Sequence, residues 1–180
     1  MALRIFPVAA SGRPTYSDDY ESPRGARLHG GNDIFAAEGA PALAVDDGHV
    51  RFTTNTLGGN VAFLTSPDGE YYYSAHLSGY EGADRQVRAG DVIGYVGHTG
   101  NARSTPPHLH FEVHPLGDKA TMDPFPALRA AQGGAPLPLP LGAALPRAAG
   151  VGRRASSSSL EDAAAVVVAL LVLRRLTRRT

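Results

Sequence analysis

The chain has 180 residues, no net formal charge and no cysteine, so we expect one domain of ordinary size and exclude disulfide scaffolds and thiolate-ligated zinc sites. The charge is uneven, because residues 1–128 carry 9 basic and 15 acidic side chains whereas residues 129–180 carry 8 arginines and 2 acidic side chains. Nucleic-acid-binding domains concentrate basic side chains on the folded region. The acidic balance of residues 1–128 therefore argues against a nucleic-acid partner.

The first residues predict no signal peptide, since they contain no apolar run of the required length. Residues 4–128 predict an all-β domain, because glycine and proline punctuate short runs of Val, Ile, Phe and Tyr. The turn Pro67-Asp68-Gly69 predicts a β-hairpin. The six predicted strands span residues 42–45, 49–53, 60–65, 71–76, 92–96 and 108–114, and the hairpin joins the third to the fourth.

Two further regions follow the predicted domain. Residues 129–159 are rich in Ala, Gly, Pro and Ser, and repeated prolines disrupt regular hydrogen-bonded ladders, so this region is predicted to be a low-complexity linker. Residues 160–180 form an apolar and basic tail whose apolar run, 163–173, predicts a short helix. A membrane span needs about 20 residues. We therefore favour a surface or interface helix over membrane association, with a cleaved sorting or anchor signal as the alternative.

Three separated segments contain side chains that bind metals or transfer protons. In the third of them, His108 and His110 are two residues apart in a predicted strand, so both imidazoles project to one face. In the first, two glycines argue against a helix and predict a turn that brings the backbone close to a metal. The segments are His29-Gly30-Gly31-Asn32-Asp33, Ser74-Ala75-His76-Leu77 and Pro107-His108-Leu109-His110-Phe111-Glu112.

These segments contain five side chains that can bind a metal or act as a base, which is more than the three protein ligands of an open zinc site. Two histidines, one aspartate and a water molecule form a known open zinc site. A structural zinc site closes all four positions with protein ligands, whereas a catalytic site keeps one position open. The surplus of two imidazoles, available for proton transfer, favours a catalytic site.

At these positions the sequence resembles the lysostaphin/LytM-type zinc metallopeptidases, which cleave cross-bridges or stem peptides of bacterial peptidoglycan. The family signature is His-x-Gly-x-Asp, then a histidine in a tyrosine-rich strand, then His-x-His. In this chain it begins at His29, at Tyr71 and at His108, respectively. The segments that connect these motifs are also similar, so the resemblance covers roughly residues 5–128.

The resemblance implies that His29, Asp33 and His110 bind one zinc ion per chain and that His76 and His108 are the catalytic histidines. It implies an antiparallel β-sandwich or barrel-like hybrid with an active-site groove along one sheet. It also implies hydrolysis of a peptide bond in peptidoglycan, in the cell envelope, in the periplasm or outside the cell. We expect a monomer.

Three residues near these motifs are predicted to contact the substrate. Strict alternation along the tyrosine-rich strand places Tyr72 on the face of His76, at the edge of the groove. Asn101 and Arg103 lie in the loop before the histidine pair, where specificity residues are common. Glu112 has the strand parity of the histidine pair, and we favour a solvated strand residue over a partner of a ligand imidazole.

The other histidines are given no site role. His49 follows a turn and is predicted to face solvent. His98 lies in a glycine-flanked turn. His114 shares the parity of the histidine pair but lies beside Pro115 at a predicted strand end, so we do not assign it as a ligand.

Two other classes of function are kept as alternatives. A catalytically idle cell-wall-binding or hydrolase-activator module of the same fold would bind without turnover, although all five signature positions are present here. A biotinyl- or lipoyl-carrier domain would need an exposed lysine on a hairpin tip. The chain's single lysine, Lys119, is not at such a position.

Overall fold

The computed structural model describes residues 3–115 and 120–132. The predicted tail helix and all but the first residues of the predicted linker lie outside this part of the chain. Among the described residues, no helix combines the length and the apolar character that crossing a membrane requires.

Short β-strands make up most of the regular secondary structure among the described residues, with one α-helix near its end. Two 3₁₀ turns, Ala10–Gly12 and Gly100–Ala102, complete the regular elements. The elements are β1 Pro23–Arg24, β2 Arg27–Leu28, β3 Asn32–Phe35, β4 Pro41–Leu43, β5 Gly48–Asn55, β6 Gly59–Thr65, β7 Tyr71–Leu77, β8 Gly79–Tyr80, β9 Arg85–Val87, β10 Val92–Tyr95, β11 His108–His114 and α1 Phe125–Gln132.

Antiparallel pairing organises these strands into two sheets and a separate hairpin. The large sheet has the order β3-β11-β7-β6-β5-β9, the small sheet has the order β4-β10-β8, and β1 pairs with β2. Each of these pairs is antiparallel. The predicted all-β antiparallel fold is therefore confirmed, with one short helix added to it.

The main apolar core joins the two sheets. One buried cluster contains Ala42 of β4, Ile93 of β10 and the apolar side chains of β11. On β11, Leu109 and Phe111 face this core, as predicted. Burying such a side chain contributes about 1.5–3 kcal/mol, so the register of β11 is fixed and its histidines are held on the opposite face.

The six predicted strands are present, with ends that differ from the prediction by at most two residues. The predicted hairpin is confirmed, since β6 pairs antiparallel with β7. The strands β1, β2, β3, β8 and β9 were not predicted, because segments of two to four residues are too short to show a clear periodicity. Helix α1 was also missed. It ends at Gln132, beyond the predicted domain boundary at residue 128, and its Leu128 is buried in the core.

The predicted position of Tyr72 is wrong. Its side chain is 2% exposed and its ring stacks on Phe111 in the core, with ring centroids 6.2 Å apart. The cause is an extra residue in β7: Ala62 pairs with Ser74, but Asn60 pairs with Leu77. A β-bulge of this kind interrupts the alternation of side chains.

Because of the bulge, Tyr72 and His76 lie on opposite faces of the sheet, and not on the same face as strict alternation predicts. His76 has a φ of 65° and lines the groove together with Tyr73. A positive φ at a residue other than glycine is uncommon and is retained where surrounding structure imposes it. Here the His76 N–H donates to the Gly58 carbonyl at 2.7 Å.

Gly31 in the turn before β3 should tolerate no side chain. A Cβ there would lie 2.2 Å from the Phe111 carbonyl oxygen. We expect Gly31→Ala to destabilise the protein by about 1–3 kcal/mol, the usual cost of overpacking, measured by urea unfolding. Gly79→Ala is the control, since a Cβ at Gly79 meets no atom within 4 Å. Equal stability of the two variants would contradict this account.

Candidate metal centre

A His–Asp–His cluster forms where β3 and β11 pair. The antiparallel register places Asp33 directly opposite His110, and the glycine turn before β3 brings His29 beside them. Asp33 Oδ1 lies 3.1 Å from His29 Nε2 and 3.0 Å from His110 Nδ1, and the two nitrogens are 2.9 Å apart. All three side chains are buried. The structure thus brings together the three residues predicted to bind zinc.

The outer nitrogens of the two imidazoles are already engaged. His29 Nδ1 lies 2.9 Å from the Asp19 carbonyl oxygen, and His110 Nε2 lies 2.8 Å from Glu112 Oε1. Carbonyl and carboxylate oxygens only accept, so each outer nitrogen must donate its N–H. In neutral rings the inner nitrogens, His29 Nε2 and His110 Nδ1, therefore present lone pairs.

Two lone pairs 2.9 Å apart, next to a carboxylate oxygen, repel one another unless a positive charge lies among them. The donor set fits a zinc ion: two neutral imidazoles and one carboxylate are typical ligands, and bonds of about 2.0–2.1 Å in a tetrahedron separate ligand atoms by about 3.3 Å. Among the described residues, the cluster supplies three such ligands, one fewer than a closed structural zinc site uses.

Without a metal, protons supply the positive charge. Burial lowers the pKa of His29, but hydrogen bonds to Asp19 and Asp33 outweigh it and raise that pKa to about 9. Burial likewise opposes the raised pKa of His110, which its hydrogen bonds to Asp33 and Glu112 produce. Burial raises the pKa of Asp33, but the two histidines hold it well below its usual range. Metal and protons should therefore compete for this cluster.

Arg24 of β1 stabilises the cluster from outside. Its Nη2 donates to Asp33 Oδ2 at 2.8 Å and to Asp19 Oδ2 at 2.9 Å. Asp19 is fixed in turn by Asn32, whose Nδ2 donates to Asp19 Oδ1 at 2.7 Å. One oxygen of Asp33 is thus occupied by Arg24, which leaves the other for a metal. Sequence reasoning missed Arg24 and Asp19, because neither belongs to a recognisable motif.

The favoured interpretation of Glu112 as a solvated residue is wrong. Its two oxygens accept from His110 Nε2 and His114 Nε2, each at 2.8 Å. Burial raises the pKa of Glu112, but these two bonds outweigh it and lower the pKa to about 2. His114 stacks on Tyr71, with ring centroids 4.0 Å apart, and is not part of the His–Asp–His cluster. Carboxylates in this position fix the tautomer and orientation of ligand imidazoles.

His76 and His108 lie beside the cluster, with ring centroids 4.9 Å apart. Their Nδ1 atoms lie 2.9 Å from the backbone oxygens of Thr99 and Pro106, respectively, so both donate from Nδ1 and keep Nε2 as an acceptor. His108 Nε2 is 3.8 Å from Asp33 Oδ1. Burial, followed by the charges of the neighbouring histidines, lowers the pKa of His76 to about 4. His76 is therefore neutral at pH 7.

All five signature residues line one groove of about 830 Å³. Its walls include Tyr73 of β7 and Asn101, one of the predicted substrate contacts. Arg103, the other loop residue predicted to contact substrate, lines a separate cavity of about 440 Å³ that shares Asn55 and Thr56 with the groove.

The remaining histidines lie away from this groove. His49 is exposed, as predicted. His98 is half-buried in its turn, where its Nδ1 donates to the Arg103 carbonyl oxygen at 3.3 Å.

Replacing Glu112 by glutamine should weaken metal binding. The amide keeps the shape but has one acceptor oxygen for two imidazole N–H groups, so His110 or His114 loses its partner. We expect Glu112→Gln to lower zinc affinity about 10–100-fold, which is the usual effect of substituting a residue that hydrogen-bonds to a metal ligand. Competition with a chromophoric chelator measures this affinity. The exposed Glu38→Gln serves as the control. Unchanged affinity in Glu112→Gln would show that this carboxylate does not support the ligand.

Comparison with known proteins identifies the family. Residues 27–124 match the profile of Peptidase family M23. The DD-carboxypeptidase/endopeptidase Mpg of Neisseria meningitidis is 44% identical over 88 residues, which cover 48% of this chain and 20% of that protein. This chain thus corresponds to about a fifth of the length of that relative.

Solved structures share the fold. The catalytic domain of the antimicrobial peptidase lysostaphin from Staphylococcus simulans is similar with a TM-score of 0.58 and 31% identity, over 68% of this chain and 98% of that one. A zinc containing peptidase from Vibrio cholerae is similar with a TM-score of 0.56 and 27% identity, over 77% of this chain and 41% of that one. Because the family profile matches over half of the chain and the fold agrees, the resemblance seen in the sequence is confirmed, and the chain belongs to peptidase family M23.

Proposed function

We propose that the chain is a zinc-dependent endopeptidase that hydrolyses a peptide bond in bacterial peptidoglycan, within a cross-bridge or a stem peptide. The observation that carries this proposal is the convergence of His29 Nε2 and His110 Nδ1 on Asp33 Oδ1, since two inward lone pairs and a carboxylate need a positive charge among them and are typical ligands of zinc. Family membership supports the peptidase activity. Because peptidoglycan surrounds the cell, we propose that the protein acts in the cell envelope.

In this proposal His29, Asp33 and His110 hold one zinc ion. The chemistry supplied by bound zinc at this position is Lewis acidity, which polarises a carbonyl group and lowers the pKa of water. The ligand side chains are held by Asp19, Arg24 and Glu112, so they need little rearrangement when a substrate binds. The groove gives an extended peptide access to this position.

The two remaining histidines transfer protons. His76 and His108 both present Nε2 as an acceptor, because their Nδ1 atoms donate to backbone oxygens. One of them accepts a proton from the attacking water. The other, once protonated, donates to the leaving amine or stabilises the developing negative charge. The lowered pKa of His76 keeps its imidazole neutral at pH 7, so that its Nε2 is free to accept a proton.

Hydrolysis of purified peptidoglycan tests the proposal directly. We expect wild type to clear peptidoglycan in a zymogram, and we expect clearing to be lost on chelation, restored by zinc and absent in His110→Ala. The exposed His49→Ala is the matched control and should clear like wild type. Failure of a folded, zinc-loaded wild type to clear would favour the catalytically idle wall-binding or activator module instead.

Substitution of one proton-transfer histidine should lower the rate of catalysis without weakening zinc binding. We expect His76→Asn to lower kcat by about 10²–10⁴-fold, the usual contribution of acid–base catalysis, and to keep zinc affinity within about twofold. Zinc affinity is measured by chelator competition and kcat by release of new amino groups. His49→Asn is the control. A His76→Asn variant with wild-type kcat would remove His76 from the mechanism.

A further inference from the structure

The acidic side chains that line the groove are all paired. Among the described residues that line the groove and its adjoining cavity, the carboxylates are Asp33 and Glu112. Asp33 bonds to the two histidines of the cluster and to Arg24, and Glu112 bonds to His110 and His114. These carboxylates therefore have little capacity to bind a positively charged substrate.

Two basic side chains that line the groove and its adjoining cavity are free to bind a ligand. Arg27 of β2 lines the groove and Arg103 lines the adjoining cavity, and both are exposed. Neither guanidinium has a hydrogen bond or an ion pair with any of the described residues, whereas the third arginine of the walls, Arg24, is held by two aspartates.

A guanidinium recognises a carboxylate through two parallel hydrogen bonds, and its charge attracts anionic ligands. The peptides of peptidoglycan differ in whether they carry free carboxylates. A glycine cross-bridge carries no side-chain carboxylate, whereas a stem peptide with unamidated acidic residues carries free carboxylates.

We propose that Arg27 and Arg103 bind free carboxylates of the peptide, so that this groove selects carboxylate-bearing stem peptides over uncharged glycine bridges. The inference rests on the proposed function, whose substrate it makes specific. Because Arg27 lines the groove and Arg103 lines the adjoining cavity, the two arginines can engage two different carboxylates of one extended peptide.

Three synthetic substrates test this selectivity. They are a cross-linked dimer of stem tetrapeptides with free carboxylates, the same dimer with those carboxylates converted to primary amides, and pentaglycine amide. We expect wild type to cleave the free-carboxylate dimer at least about tenfold more efficiently, in kcat/KM, than either of the others, as one charge-assisted hydrogen bond allows. Equal cleavage of the two dimers, or preferred cleavage of pentaglycine amide, would overturn the inference and leave the proposed peptidase activity intact.

Substitution of the arginines identifies the residues responsible. We expect Arg27→Gln and Arg103→Gln each to raise KM for the free-carboxylate dimer about five- to tenfold without changing kcat, and to leave cleavage of the amidated dimer unchanged. Arg88→Gln, in the turn before β10 and outside the groove lining, removes the same charge and should behave like wild type. A similar KM for all three variants would contradict the assignment.

Binding measured without turnover separates recognition from catalysis. Calorimetric titration of the zinc-loaded His76→Asn variant with the two dimers should give a dissociation constant at least about tenfold lower for the dimer with free carboxylates. Selective binding by a wild type that cuts neither the dimers nor pentaglycine amide would refute the proposed hydrolysis and support carboxylate recognition. Equal binding of both dimers would refute carboxylate recognition itself.

Discussion

The convergence of two imidazole nitrogens on one carboxylate oxygen is the interaction on which the site depends. His29 Nε2 and His110 Nδ1 lie within about 3 Å of Asp33 Oδ1 and of each other. Such a cluster can exist only if protons or a cation compensate the lone pairs. Its neighbours, Glu112 and Arg24, hold the outer atoms of these side chains, so the cluster is assembled by the fold before any ligand arrives.

The same large sheet that builds the core also presents the site. The apolar side chains of β11 fill the core on one face, and its histidines emerge on the other. The bulge in β7 then turns His76 to the face occupied by His110 and Tyr73, so a local irregularity places this imidazole next to the cluster. Apolar burial on one side of the sheet thus fixes the positions of the polar groups on the other.

Much of this arrangement was predictable from the sequence. The period-two pattern in β11 predicted that His108 and His110 share a face, and the turn Pro67-Asp68-Gly69 predicted the β6–β7 hairpin. Local periodicity and turn chemistry carry such information because they involve neighbouring residues. The predicted position of Tyr72 was wrong because a β-bulge interrupts the alternation of side chains and has no clear signal in the sequence. The interpretation of Glu112 as a solvated residue was wrong because its partner His114, at the end of the strand, was given no role in the site.

By itself the sequence determined the all-β class, the family and the identity of the three side chains that gather at the candidate metal centre. Tertiary structure alone decided which groups hold them, since Asp19 and Arg24 reach the cluster from loops and a two-residue strand that no pattern marks. It also decided that Arg27 and Arg103 line the groove and its cavity without a partner among the described residues. The physical reason is that ligand types and strand parity are local properties of the chain, whereas hydrogen-bond partners and free charges depend on which distant segments the fold brings together.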